Sequence, residues 1–165
     1  MQNKSTIILG IDPGLVKTGW GVVQKLGYDF KYIDCGIIKT DPACKMEERL
    51  TLIYDSVSEL IDRFNPTEIS MEEVFVNMNP STSEKLIMAR TSAFIAISKS
   101  GFQVNEYKPN EIKKNITGQG HADKNQVYIM IQKILNVSIE TDRQTKTMDA
   151  MDAIAVALCH AFTIR

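Results

Sequence analysis

Apolar residues recur along this chain with two different periods, and the switches between them divide it into strands and helices. Thr6–Ile11 is a short apolar run of the length expected for a buried strand. Gly19–Gln24 and Phe30–Ile38 follow, separated by a turn containing Gly27, which predicts a hairpin or meander. Leu50, Ile53, Tyr54, Val57, Leu60 and Ile61 then fall at helical spacing and predict a helix over Lys45–Phe64, stopped before Asn65-Pro66. Glu68–Phe75 reads as a second buried strand, Asn77–Ser81 as a loop around Pro80, and Thr82–Ser100 as a long helix ended by Gly101. Beyond it come a short strand at Gln103–Tyr107 and a helix from Pro109 to about Ile116. A break at Gly118-Gln119-Gly120 precedes a helix over Lys124–Leu135. A polar, loop-like stretch at Asn136–Lys146 leads to a final helix over Thr147–Phe162. No internal repeat, low-complexity tract or linker interrupts this order, so residues 1–165 read as one domain.

Three strands, then helix, strand, helix, strand and helices, predict an α/β fold. Its first strands are antiparallel and its later ones parallel through helical crossovers. In such a sheet the ends of neighbouring parallel strands, crossed by a helix, form a natural meeting point for side chains. Four acids are placed to use it. Asp12 closes the first apolar run and precedes the turn Pro13-Gly14; Glu72 follows Ile69-Ser70-Met71; Asp149 and Asp152 are three apart on one face of the last helix. Two carboxylates about 4 Å apart repel by roughly 4 kcal/mol at an effective dielectric near 20. A divalent cation is the usual compensation, and an oxygen-only ligand set selects Mg2+ or Mn2+. Metal-dependent phosphoryl-transfer chemistry is the leading expectation.

Each motif also has a plainer reading. Asp12 could merely cap its turn. Strand alternation sends Glu72 and Glu73 to opposite faces, and the pattern does not say which faces a site. Acids in the first turn of a helix gain from its dipole without any other role. Ala150 and Ala153, beside the last two acids, would let that helix lie close to a sheet. Lys113, Lys114 and Lys124, around the flexible Gly118–Lys124 segment, could hold phosphates or form a solvated face. Phe75 could pack in the core or stack on an unpaired base. His121 stays outside the core site.

The net charge of −1 is not that of a typical nucleic-acid binder, but its distribution is uneven. Ser81–Lys146 carries ten basic residues against six acidic ones, while Met1–Pro80 carries a net −4. The candidate ligands alone contribute four negative charges, which bound cations would reverse locally. No apolar stretch approaches the roughly 20 residues of a membrane span. The first residues lead straight into a strand pattern rather than a signal peptide. Cys35, Cys44 and Cys159 lack zinc-type pairing; they suit a reducing cytosol, and buried thiols are expected at all three.

Four segments together, Ile8–Gly14, Met71–Phe75, Gly118–Lys124 and Asp149–Ala155, resemble the bacterial RuvC family of Holliday-junction resolvases. The similarity runs from about Ile7 to His160, and the four motifs in this order are far more specific than any one alone. The resemblance implies a ribonuclease-H-like fold, a mixed five-stranded sheet flanked by helices. It implies a homodimeric, Mg2+-dependent endonuclease that resolves four-way DNA junctions by paired symmetrical nicks in homologous recombination and DNA repair. The products would carry 5′-phosphate and 3′-hydroxyl ends. Two Mg2+ ions per site are expected, with Mn2+ as a substitute. The family pattern aligns its acid with Glu72 rather than Glu73, and matches Asp12, Asp149 and Asp152 to the other catalytic and metal-binding acids. Lys124 matches a catalytic and DNA-binding lysine, and Lys113 and Phe75 match DNA-contacting positions. Lys85 and Arg90 fall where the family presents basic groups to DNA. A branch-migration helicase complex of the RuvA and RuvB type, a cytoplasmic setting and no membrane are implied as well. The Thr82–Ser100 helix carries more apolar surface than one sheet face needs, and a dimer contact there is expected.

Other readings remain in view. A nuclease of the same fold acting on RNA would share the acids. A junction-binding module would gain nothing from clustered negative charge near DNA. An actin-like ATP-binding protein needs two such domains, more than 165 residues allow. A dehydrogenase lacks its Gly-x-Gly-x-x-Gly fingerprint here.

Overall fold

The computed structural model of the protein describes residues 5–74, 80–139 and 148–164. Within them the chain forms strands β1 (Ser5–Asp12), β2 (Lys17–Leu26) and β3 (Asp29–Lys39), helix α1 (Met46–Phe64) and strand β4 (Glu68–Glu72). Helix α2 (Pro80–Lys99), strand β5 (Val104–Tyr107) and helices α3 (Pro109–Thr117), α4 (Lys124–Leu135) and α5 (Met148–Thr163) complete it. The strands make one mixed sheet in the order β3-β2-β1-β4-β5. β1–β2 and β2–β3 are antiparallel; β1–β4 and β4–β5 are parallel, as α1 and α2 cross back between them. This is the fold class expected from the element order and from the family resemblance.

Alternation along the strands splits the core into two layers. Leu9, Ile11, Ile69 and Met71 pack with Ile53, Val57, Ala93 and Ile97 of α1 and α2. Ile8 and Val23 pack on the opposite face with Ile112, Tyr128, Ile131, Ile154 and Leu158 of α3, α4 and α5. Period two then places Asp12 on the α5 face with Ile8 and Gly10, and Glu72 on that face with Ser70, whose hydroxyl meets the Val156 carbonyl at 3.3 Å.

Helix α5 lies unusually close to the sheet because that face lacks side chains. Gly10 pairs with Gly21 and Asp12 with Gly19 across β1 and β2. A Cβ at Gly10 would stand 2.2 Å from the Ala153 carbonyl oxygen, and one at Gly19 would stand 2.0 Å from that of Asp149. The helix's alanines do permit close approach, as expected, and the glycines beneath them complete it. α4 begins with a reciprocal cap: Asp123 Oδ1 accepts from the Gln126 amide at 2.9 Å, and Gln126 Oε1 accepts from the Asp123 amide at 2.9 Å.

Several boundaries differ from expectation. β2 and β3 run longer than the predicted strands, since their pairing continues to the Gly27 turn, where φ is 65°. β4 ends at Glu72 rather than Phe75, and Phe75 lies outside the described residues. α2 starts at Pro80, which was expected in a loop; proline suits a first helical turn. Cys35 and Cys159 are buried, but Cys44 is exposed in the turn before α1, where no core reaches it.

Candidate active site

Parallel pairing of β1 with β4 brings Ile11 beside Met71, so the next residues, Asp12 and Glu72, emerge side by side at the strand ends. The glycine-cushioned first turns of α5 set Asp149 and Asp152 above them. The acids feel one another. Asp12 has its pKa raised well above the ordinary carboxylate value, first by burial and then by the fields of Glu72, Asp152 and Asp149. Glu72 is raised by burial and then by Asp152, against the opposing pull of Lys124 and Lys113.

Lys124, the first residue of α4, reaches across to donate from Nζ to Asp152 Oδ2 at 2.7 Å. Burial works against its charge, but the bond to Asp152 and the fields of Asp152, Asp12 and Asp149 outweigh it and raise its pKa. Tyr128, one helical turn on, donates from its hydroxyl to Asp152 Oδ1 at 3.0 Å. Burial and then the Asp152 charge push the phenol's pKa up, so it remains a donor. A cleft of about 230 Å³ opens between these elements, lined by Glu72, Pro109, Lys113, Val127, Lys124 and Asp152. A second cleft of about 230 Å³ lies on the other side of Glu72 and is lined by Asp12, Pro13, Glu73, Val74 and Leu86. Glu72 therefore separates two openings large enough for phosphate groups.

The expected acids thus share one end of the sheet, yet not one point. Among the described residues no three His, Cys, Asp or Glu side chains converge closely enough to grip a single ion as they stand. The donor set nevertheless fits a hard divalent cation: it is all oxygen, and two of its members, Asp12 and Glu72, stand half-buried with raised pKa values, a cost that positive charge relieves.

The remaining expected residues divide. Lys113 lines the cleft with Lys124. Lys85 is exposed on α2, next to Leu86 of the second cleft. Arg90 is committed within the fold: its guanidinium pairs with Glu106 on β5 and stands 5.4 Å over the Phe94 ring. His121 is exposed just before α4. Sequence reasoning missed Tyr128, although its i+4 spacing from Lys124 puts both on one helical face. It also missed Arg49 of α1. That buried guanidinium donates to Thr40 Oγ1 at 2.9 Å and to the Leu15 carbonyl at 3.3 Å, tying down the turn that follows Asp12. An Arg on an otherwise amphipathic helix gives no local sign of this.

Comparison with known proteins agrees with the geometry. The family model described as "Crossover junction endodeoxyribonuclease RuvC" matches residues 8–160. The protein of that name from Ehrlichia canis is 42% identical over 156 residues, 94% of this chain and 96% of its own. That from Rhizobium leguminosarum bv. trifolii is 38% identical over 161 residues, 98% of this chain and 92% of its own. The structure of T. thermophilus RuvC in complex with Holliday junction substrate superposes with a TM-score of 0.87 at 31% identity, covering 96% of this chain and 94% of that one. The yeast mitochondrial Holliday junction resolvase Ydc2 shares the fold, with a TM-score of 0.70 at 12% identity over 94% of this chain and 78% of that one.

Proposed function

The chain belongs to the RuvC family of crossover junction endodeoxyribonucleases, and from that premise we propose that its acidic site hydrolyses phosphodiester bonds at four-way DNA junctions in recombination and repair. The observation that carries the reading is the placement of Asp12 and Glu72 just past the paired ends of adjacent parallel strands, with Glu72 sharing a cleft with Asp152 and Lys124. Asp12, Glu72, Asp149 and Asp152 would hold Mg2+, or Mn2+ in its place. When bound, such ions supply a nucleophilic hydroxide near neutral pH and charge stabilisation at the leaving oxygen.

The chain's own groups do the rest. Lys124 transfers its hydrogen bond from Asp152 to the phosphate, where its charge offsets developing negative charge. Lys113, on the opposite wall, orients the backbone, and Lys85 extends the basic track along α2. Phe75 follows directly on the Glu72–Val74 segment and suits stacking at the junction centre. Arg90 pairs with Glu106 of β5, and a role at the DNA would require it to exchange that partner for a phosphate. The sequential products would be 5′-phosphate and 3′-hydroxyl ends.

Two symmetry-related sites match the near two-fold symmetry of a four-way junction. A homodimer is supported by an apolar groove of about 390 Å³ between α1 and α2, lined by Leu50, Tyr54, Ile87, Met88 and Ile95. The exposed members are Ile87, Met88 and Ile95. Ala89, Ala93, Ala96 and Ile97, which swelled the apolar count of this helix, are buried within the chain. A partnership with a branch-migration helicase complex and a cytosolic setting follow from the family.

Incubation with a synthetic four-way junction, with and without Mg2+, tests the function. Symmetrical nicks that need the metal are expected. Cleavage of an RNA–DNA hybrid in preference to the junction would overturn the reading, and a monomeric sedimentation profile at micromolar concentration would remove the dimer.

A further inference from the structure

We propose that Tyr128 is a positioning residue for this site: its hydroxyl keeps the Asp152 carboxylate aimed while Lys124 leaves it for the substrate phosphate. The inference rests on the nuclease reading above and adds a residue to it.

Both oxygens of Asp152 are occupied from α4. Oδ2 receives Lys124 Nζ at 2.7 Å and Oδ1 receives the Tyr128 hydroxyl at 3.0 Å. The two donors sit one helical turn apart, on the face that α4 turns toward α5. Their mobility differs sharply. The Lys124 side chain is 62% exposed on a flexible stem, whereas Tyr128 is only 7% exposed, its ring fixed in the core with Val127, Ile131 and Ile154. An exposed ammonium exchanges partners readily; a buried ring does not. The same hydroxyl lies 3.2 Å from the Met148 carbonyl, the first residue of α5. Its single proton goes to the carboxylate, the stronger acceptor.

The consequence is a division of labour on one carboxylate. Lys124 and a divalent cation held by the acids would compete for the Asp152 carboxylate. Tyr128 holds Oδ1 throughout, so Asp152 does not have to be reoriented when Lys124 departs. Outer partners of this kind typically contribute ~10-fold or more to metal affinity. Removing Tyr128's hydroxyl therefore weakens cation binding, and removing Lys124's ammonium does not.

The test measures Mn2+ binding to the metal-free protein without DNA, by the electron paramagnetic resonance signal of free Mn2+. Tyr128→Phe keeps the ring and is expected to weaken binding ~10-fold. Lys124→Met is expected to leave binding unchanged or tighten it. In nicking assays the Mn2+ midpoint of Tyr128→Phe should rise by the same factor, with the saturated rate retained and junction binding in chelator unchanged. A purely packing role would instead lower the saturated rate or the stability and leave the midpoint in place. Mn2+ affinity of Tyr128→Phe within twofold of wild type overturns the inference, as does weakened binding in Lys124→Met. Should Tyr128→Phe not fold, the hydroxyl proton of Tyr128 is followed by NMR in wild-type protein. It should stay protected from exchange at saturating Mg2+, and its loss on Mg2+ addition also refutes the proposal. Wild-type protein that binds no Mn2+ would take down the nuclease site itself, whereas wild-type binding with an indifferent Tyr128→Phe sinks only this inference.

Discussion

Substituting Gly19 by alanine probes how the site is assembled, because it adds one methyl group beneath the backbone that carries the acids and changes none of their side chains. Gly19 lies beneath the first turn of α5, and its new Cβ would stand 2.0 Å from the Asp149 carbonyl oxygen and 3.2 Å from the Ala150 amide nitrogen. Real Cβ contacts essentially never fall below 3.0 Å, so helix and sheet must part by at least about 1 Å at this point. No flexible side-chain end can yield, since the obstructing atoms are backbone. Overpacking of this kind costs about 1–3 kcal/mol. The larger effect falls on chemistry. The displaced turn carries Asp149 and, one turn on, Asp152, while Asp12 stays with β1. A misplacement of about 1 Å in a reacting constellation costs on the order of 100-fold in rate. Urea unfolding should show the stability loss, and single-turnover nicking of a four-way junction should fall ~100-fold with junction affinity in chelator little changed. A Gly19→Ala protein within 0.5 kcal/mol of wild type that nicks at full rate would refute the claim that backbone contact sets the height of α5.

Two further substitutions follow from the same geometry. Asp12→Asn should abolish nicking and yet stabilise the metal-free protein at neutral pH. Because the folded pKa of Asp12 lies above its unfolded value, ionisation in the fold is a cost. That cost is fully present above the folded pKa and vanishes as pH falls below the unfolded value near 3.8. The variant's thermal advantage should therefore shrink with acidification, and Mg2+ should raise the melting temperature of wild type but not of the variant; equal melting temperatures at neutral pH would contradict the burial argument. Arg49→Met retains the buried stem but loses the donors to Thr40 and Leu15, which should lower unfolding stability by about 1–3 kcal/mol and loosen the turn after Asp12. An unchanged urea midpoint would show that the turn holds itself.

The parts of this site that could be read in advance are those encoded within single elements. Asp12 and Glu72 each end an apolar strand, and Asp149 and Asp152 share a helical face, so their residue types and spacing announce them. The choice of Glu72 over Glu73 was open in the pattern itself. The structure gives the physical ground for it: Ile69 and Met71 take the α1 and α2 side, which leaves Ser70 and Glu72 for the α5 side. Features that depend on pairing between distant segments left no local trace. Gly10, Gly19 and Gly21 share no signal along the chain, and only the β1–β2 register aligns them under α5. The ion pair of Arg90 with Glu106 left no sign because the partner is sixteen residues away on another element. Tyr128 was half legible, since its helical face could be worked out but not what that face meets.

Electrostatics explain why the overall charge pointed away from DNA. The fold gathers carboxylates at one end of the sheet, where burial and mutual repulsion make their charge costly, and an isolated acidic cluster would repel a polyanion. The lysines that offset it come from α3 and α4, which follow the sheet in sequence and fold back over its α5 face. Lys124 neutralises Asp152 directly, and Lys113 faces Glu72 across the same cleft. A site that must hold cations and then a phosphate needs both signs within one Debye length. A near-zero net charge is therefore compatible with a nuclease whose attraction for DNA is local, and the salt dependence of its junction binding should report only the few lysines around that cleft.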